Sequence, residues 1–257
     1  MWLKDTLFVG WQDKDRPELP PLQELFAKYD AIREAVTAAF HGELSTEPKL
    51  WPHVATLSFT YAFNTYKAIG LVLPHFYHEA ASSMLRQLWE VSLNLHWMER
   101  DPDRRAQDFC NFTVMEMRKQ IAKGVGPDAS ELKEFDEATQ RFQSKFRFVD
   151  RGGRTRSHDS FAASSIEMRS KELGTPWPED FRLLYSLTSM HAHGAPGAIL
   201  RPTFFQEPSR AEIMDKDSTG LVAIVAMMLI TRDVALMTRQ GLVPNSTSID
   251  RDVLELL

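Results

Sequence analysis

The stretch from His75 to Glu99 constrains the fold more than any other part of the chain. Leu85, Leu88, Trp89, Val91, Leu93, Leu95 and Trp97 spread over every face of a helix drawn through it. Pro74 breaks the chain before it and Asp101-Pro102 closes it, because a residue preceding proline is pushed out of helical geometry. A helix that is apolar nearly all round must be contacted from several directions. This segment therefore demands a bundle with itself near the centre. One polar row crosses it: His78, Ser82, Arg86, Glu90 and Asn94 recur every fourth residue and stack along a slowly drifting line.

The surrounding sequence supplies helices of the right kind. From Pro21 to Phe40, apolar residues at Leu22, Leu25, Phe26, Tyr29, Ile32, Ala35, Val36 and Ala39 follow the three-and-four spacing of one buried face. A second helix is predicted from Leu50 to Leu73, with Pro52 in the first turn where a missing N–H costs nothing. Further helices are expected from Pro102 to Lys123, Ser130 to Phe146, Phe161 to Leu173, Glu179 to His193 and Thr219 to Arg239, most of them stopped by glycine or proline. Val149 to Asp159 has Gly152-Gly153 and no periodicity, and reads as a loop. No strand alternation, repeat or linker is evident. The expected architecture is all-α: a single-domain helical bundle of about seven to eight helices across residues 1–257, with a core over about 21–240 and peripheral ends at 1–20 and 241–257.

Composition narrows the setting. The formal net charge is −5, and Cys110 is the one cysteine, so neither an intrachain disulfide nor a cysteine-rich zinc site is available. The longest unbroken apolar run, Leu221 to Ile230, falls short of the roughly 18 to 20 residues a bilayer requires, and no membrane is expected as a partner. Lys4 and Asp5 interrupt the apolar start of the chain, which does not read as a signal peptide. The reading is cytoplasmic.

Two polar rows carry the candidate chemistry. Ser82, Arg86, Glu90 and Asn94 are one; Tyr185, Ser189 and His193, again four apart, are the other, and each is the best available partner for the other. Arg86 suits a phosphate or carboxylate, Glu90 can orient it, and His193 titrates near neutrality and can move a proton. Ser189 and Tyr185 would orient these groups, and Ser82 and Asn94 would contact substrate. The same residues also admit a plainer role, with Arg86–Glu90 as a buried pair that fixes helix register and His193 as a helix-end imidazole. Between Arg141 and Arg156 six basic residues stand against Asp150, interleaved by Phe142, Phe146 and Phe148. Arg151, Arg154 and Arg156 there could grip a phosphodiester backbone, or form a solvated basic surface.

His75, His78 and Glu79 are close enough in sequence to chelate, but the paired Glu-x-x-His of a di-iron bundle is missing, so neither metal nor cofactor is expected. Gly-rich phosphate loops, nucleophile elbows and His-Glu-x-x-His are likewise missing from the sequence. Cys110, between Phe109 and Phe112, reads as buried and inert.

The segment SSMLRQLWEVSLNLHWMERDP (82–102), followed by ELG (172–174) and YSLTSMHAHG (185–194), resembles an uncharacterised bacterial all-helical domain-of-unknown-function family over roughly residues 50–240. That family carries an Arg and a Glu four apart on one helix and a Tyr, Ser and His four apart near a glycine. More remotely, the combination is similar to the HEPN group of helical domains, many of them metal-independent ribonucleases. HEPN enzymes set Arg and His four to six residues apart on one helix; here Arg182 precedes His193 by eleven. The resemblance implies a metal-independent ribonuclease or phosphodiester-binding protein, with RNA or a small anionic ligand as partner and a homodimer as an admissible assembly. The alternative is a regulatory or interaction protein without turnover.

Overall fold

A computed structural model describes residues 19–40, 49–75, 77–124, 140, 142–149, 152–157, 161–162, 164–185 and 208–243. The helices are α1 (Leu22–Phe40), α2 (Leu50–Val72), α3 (His78–Glu99), α4 (Pro102–Ala122), α5 (Ile166–Leu173), α6 (Trp177–Asp180) and α7 (Pro208–Arg239). The fold is all-α, with one small ribbon attached. α3 packs on α2, α7, α5 and α4, which is the central position its apolar surface requires, and α7 packs on α1, α2 and α3.

Leu85, Leu88, Trp89, Leu93, Leu95 and Met98 of α3 are buried together with Val225, Ala226, Leu229, Ile230 and Met237 of α7. The segment Ser218–Arg239 is, by length and composition alone, long and apolar enough to cross a membrane, but most of it is buried inside the bundle. Counting unbroken apolar runs missed it because Thr231, Arg232 and Asp233 interrupt the pattern. Its faces are occupied by α1, α2 and α3, as in a core helix.

Several boundaries differ from expectation for local reasons. α7 begins at Pro208 rather than Thr219: proline suits a first helical position, and the polar 209–218 stretch carries no apolar period to reveal the extra turns. α5 begins at Ile166 rather than Phe161, because the Ser165 hydroxyl caps the helix by accepting from the Met168 N–H at 3.1 Å. Of the helix expected over Ser130–Phe146, residues 130–139 lie outside the described residues, and Gln143–Phe146 form a tight single turn. The element expected from Glu179 opens as α6 and continues as a wider turn over Phe181–Tyr185; residues 186–193 lie outside the described residues.

The stretch read as a loop holds a ribbon. Strands β1 (Arg147–Val149) and β2 (Thr155–Ser157) pair antiparallel with Phe148 opposite Arg156. Gly152 and Gly153 lie in their connection, and Gly153 has φ +76°, which glycine adopts without a Cβ penalty. Strands of three residues are too short to display alternation. Phe146, fully buried, anchors the ribbon edge-on to Phe112 of α4, and Lys145 bonds Asp108 of the same helix.

A reciprocal tyrosine pair fixes α1 on α2. The Tyr29 hydroxyl donates to the Tyr66 carbonyl at 2.5 Å, the Tyr66 hydroxyl donates to the Tyr29 carbonyl at 2.9 Å, and the rings stack 4.0 Å apart. Burial, and then the neighbouring Tyr66, push the Tyr29 phenol well above its usual range. Gly70 lets the rings approach: a Cβ there would lie 2.7 Å from Tyr29 Cε1. Gly70→Ala should therefore destabilise the protein by about 1–3 kcal/mol despite alanine's better helix propensity. A lower urea midpoint at unchanged slope would show it.

Candidate functional site

α3 carries two polar rows on different faces. The row anticipated from sequence is present in part. Arg86 Nε donates to Glu90 Oε1 at 2.9 Å within the helix, with 15% and 31% of the two side chains exposed. Ser82 is buried, and Asn94 Oδ1 is buried without a hydrogen-bond partner among the described residues. The group that joins this row is one the sequence reading did not name. Arg169 of α5 is buried; desolvation pushes its guanidinium down to about 10, while the nearby charge of Glu90 works in the opposite direction. Glu90 thus pairs with Arg86 in its own helix and acts by charge on Arg169 in a second one. A sequence signal existed, since Arg169 falls on the apolar side of a short amphipathic helix beside Ile166 and Leu173.

The second expected row cannot be placed opposite the first. Ser189 and His193 lie outside the described residues, as does the Tyr185 side chain. The start of that element does reach α3: the Trp89 ring lies 6.4 Å from Trp177 and 6.1 Å from Phe181. In the basic segment Arg154 is exposed, Arg156 stands on β2 with its side chain outside the described residues, and Arg151 lies outside them entirely. Lys145 is engaged by Asp108. His75 and Glu79 are exposed, the His78 side chain is outside the described residues, and no group of three metal-ligating side chains occurs among the described residues. Cys110 is half-buried rather than enclosed, and burial raises its thiol.

The other polar row of α3, Ser92 and His96, faces α7. Asp233, fully buried, accepts from the Ser92 hydroxyl at 2.6 Å through Oδ2 and stands 3.2 Å from His96 Nε2 through Oδ1. Neither helix would tolerate its polar group alone, since an unpaired buried carboxylate costs several kcal/mol. The signal was a single acid inside an otherwise apolar helix, which must find partners elsewhere.

A third cluster ties α3, α4 and α5 together. Arg105 lies 3.7 Å above the Trp97 ring, donates to the Trp97 carbonyl at 2.5 Å and pairs with Glu172, which also accepts from Trp97 Nε1 at 2.6 Å. Partial burial would raise the Glu172 carboxyl, but the bonds from Trp97 and Arg105 and the arginine charges outweigh it and hold the group below its usual value.

Residues 53–211 match a family of unknown function, DUF5677, and the chain belongs to that family. The matched stretch contains Ser82 to Asn94, Arg169, Ser92 and His96, whereas Asp233 lies beyond it. No curated protein and no solved structure matches the chain.

Two outcomes follow from these contacts. Asp233→Ala should cost about 2–4 kcal/mol by stranding Ser92 and His96, with Asp233→Asn milder because it still accepts from Ser92; urea denaturation of both variants measures this. Because Glu172 is held below its unfolded value of about 4.3, its contribution is complete above that pH and fades as pH falls through the folded value. Glu172→Gln should accordingly flatten the loss of stability seen between about pH 5 and 3 by the same measurement.

Proposed function

We propose that this chain is a phosphodiester-binding helical protein working as a metal-independent, HEPN-like ribonuclease in the cytoplasm. The observation that carries the reading is the half-buried Arg86–Glu90 pair on α3, with the buried Arg169 of α5 close enough for the Glu90 charge to act on it. Guanidinium groups bind phosphate oxygens in a planar fork, and partial shielding from water strengthens that attraction. In this reading Arg86 stabilises the developing phosphate charge and Glu90 orients it. His193 transfers the proton, with Ser189 and Tyr185 holding it. Ser82 and Asn94 contact the substrate beside the pair, and Arg151, Arg154 and Arg156 track the backbone outside it. No metal or cofactor is needed for those steps. A single domain and a homodimer are both compatible with the proposal.

One observation favours a second reading. Arg86 is largely buried and its Nε is already committed to Glu90 in the same helix, as a residue that only sets packing would be. The protein would then be a regulatory or interaction module without turnover.

Purified protein incubated with labelled single-stranded RNA and a chelator separates the two. Binding should weaken with salt at a slope of about −0.7 per phosphate contacted, and charge reversal at Arg151, Arg154 and Arg156 should flatten that slope. His193→Ala should abolish cleavage while leaving affinity nearly unchanged, since a proton-transfer group acts in the transition state. If RNA fails to bind at low salt, the second reading stands.

A further inference from the structure

The C-terminal ends of α3 and α7 and the connection from α5 to α6 enclose an open cleft of about 510 Å³. That volume lies within the range of small-molecule sites. At its base is His96, with 15% of its side chain exposed, backed by the fully buried Asp233. Asp233 Oδ1 lies 3.2 Å from His96 Nε2 without a formed hydrogen bond, and Asp233 Oδ2 accepts from the Ser92 hydroxyl, so a buried carboxylate stands directly beside the imidazole. The Trp177 ring, 5.1 Å away centroid to centroid, walls its side. Nε2 is the ring nitrogen beside Asp233, which leaves Nδ1 as the one a ligand in the cleft would meet.

The rim is rich in donors. Arg239 gives both Nε and Nη2 to Glu99 Oε1, and Gln240 Nε2 reaches the same oxygen at 2.9 Å, so that oxygen already serves three donors. Arg100 is exposed and, among the described residues, makes one long contact, 3.4 Å from Nη2 to the Leu173 carbonyl. Two helix ends bring carbonyl groups with partial negative charge, and Arg100 and Arg239 stand where they offset it. Among the described residues Glu99 answers Arg239 and Gln240, while Arg100 keeps guanidinium donors that none of the bonds above use. We infer that this cleft is a binding site for a small phosphate-bearing molecule, with Arg100 and His96 holding the phosphate oxygens and Asp233 positioning His96. The site uses none of the residues of the Arg86 row and does not depend on RNA binding.

Titrating the full-length protein calorimetrically with inorganic phosphate and with adenosine monophosphate tests the inference. Saturable binding at one site is expected for both, with the NMR resonances of the His96 ring shifting in step. Arg100→Ala and His96→Gln should each weaken binding about tenfold or more, equivalent to about 1.4 kcal/mol, and Arg100→Lys should weaken it less. Lys28→Ala, on α1 and outside the cleft lining, should leave it unchanged. Circular dichroism and the thermal midpoint establish that the Arg100 variants, altered at an exposed position, remain folded. The inference is overturned if neither probe binds saturably, or if binding survives both Arg100→Ala and His96→Gln intact. Succinate binding as tightly as phosphate would overturn the phosphate assignment.

Discussion

A carboxylate buried in an apolar helix is the constraint on which the arrangement of α7 depends. α7 is apolar on nearly every face over its second half, so hydrophobic packing alone would tolerate rotation or a shift along the neighbours. Asp233 removes that freedom. Its Oδ2 is satisfied where the Ser92 hydroxyl meets it, with His96 Nε2 3.2 Å from Oδ1, and those two residues stand four apart on α3. Arg232, next in line, bonds Asp180 at 2.7 Å and so turns the adjacent face of α7 towards α6. Burial pushes the Asp180 carboxyl up, and Arg232 opposes that rise. Two neighbouring charged residues thus fix both the rotation and the height of the core helix against two different elements.

The fold was legible because helix periodicity and its punctuation are local signals. Pro74, Pro102 and Gly174 marked real boundaries, and the all-round apolar character of α3 correctly placed it at the centre. What escaped were features decided over short or long distances rather than over a helical turn. Three-residue strands display no period, and the polar 209–218 stretch carries helix without an apolar face. The Tyr29–Tyr66 clamp is invisible until α1 and α2 are brought together, although the permissive Gly70 in a helical pattern hinted at a close approach.

The candidate site was half legible for a geometric reason. Ser82, Arg86, Glu90 and Asn94 form an obvious row, and following that row every fourth residue steps past Ser92 and His96, which lie two positions off it. Residues two apart on a helix point away from each other, so one helix holds two separate polar lines that a single four-residue reading merges or misses. Their partners come from α5 in one case and α7 in the other. Nothing near Arg86 in sequence points to Arg169, and nothing near His96 points to Asp233, until the fold supplies them.

Between these two polar lines stands an aromatic wall, and its composition bears on how separately they act. Trp89 is fully buried with its ring 6.4 Å from Trp177, whose ring in turn lies 5.1 Å from His96 and 5.6 Å from the Arg232 guanidinium. Close-packed rings exclude water and transmit shape, since interiors of this density deform together rather than locally. A change at one polar line that moves Trp177 would therefore be felt at the other. The two pairs are built from different rows of α3, since Arg86 and Glu90 lie on one four-residue line and Ser92 and His96 on another. The wall makes separate ligands on the two faces of α3 physically compatible, and it makes packing, rather than charge, the route by which one could influence the other.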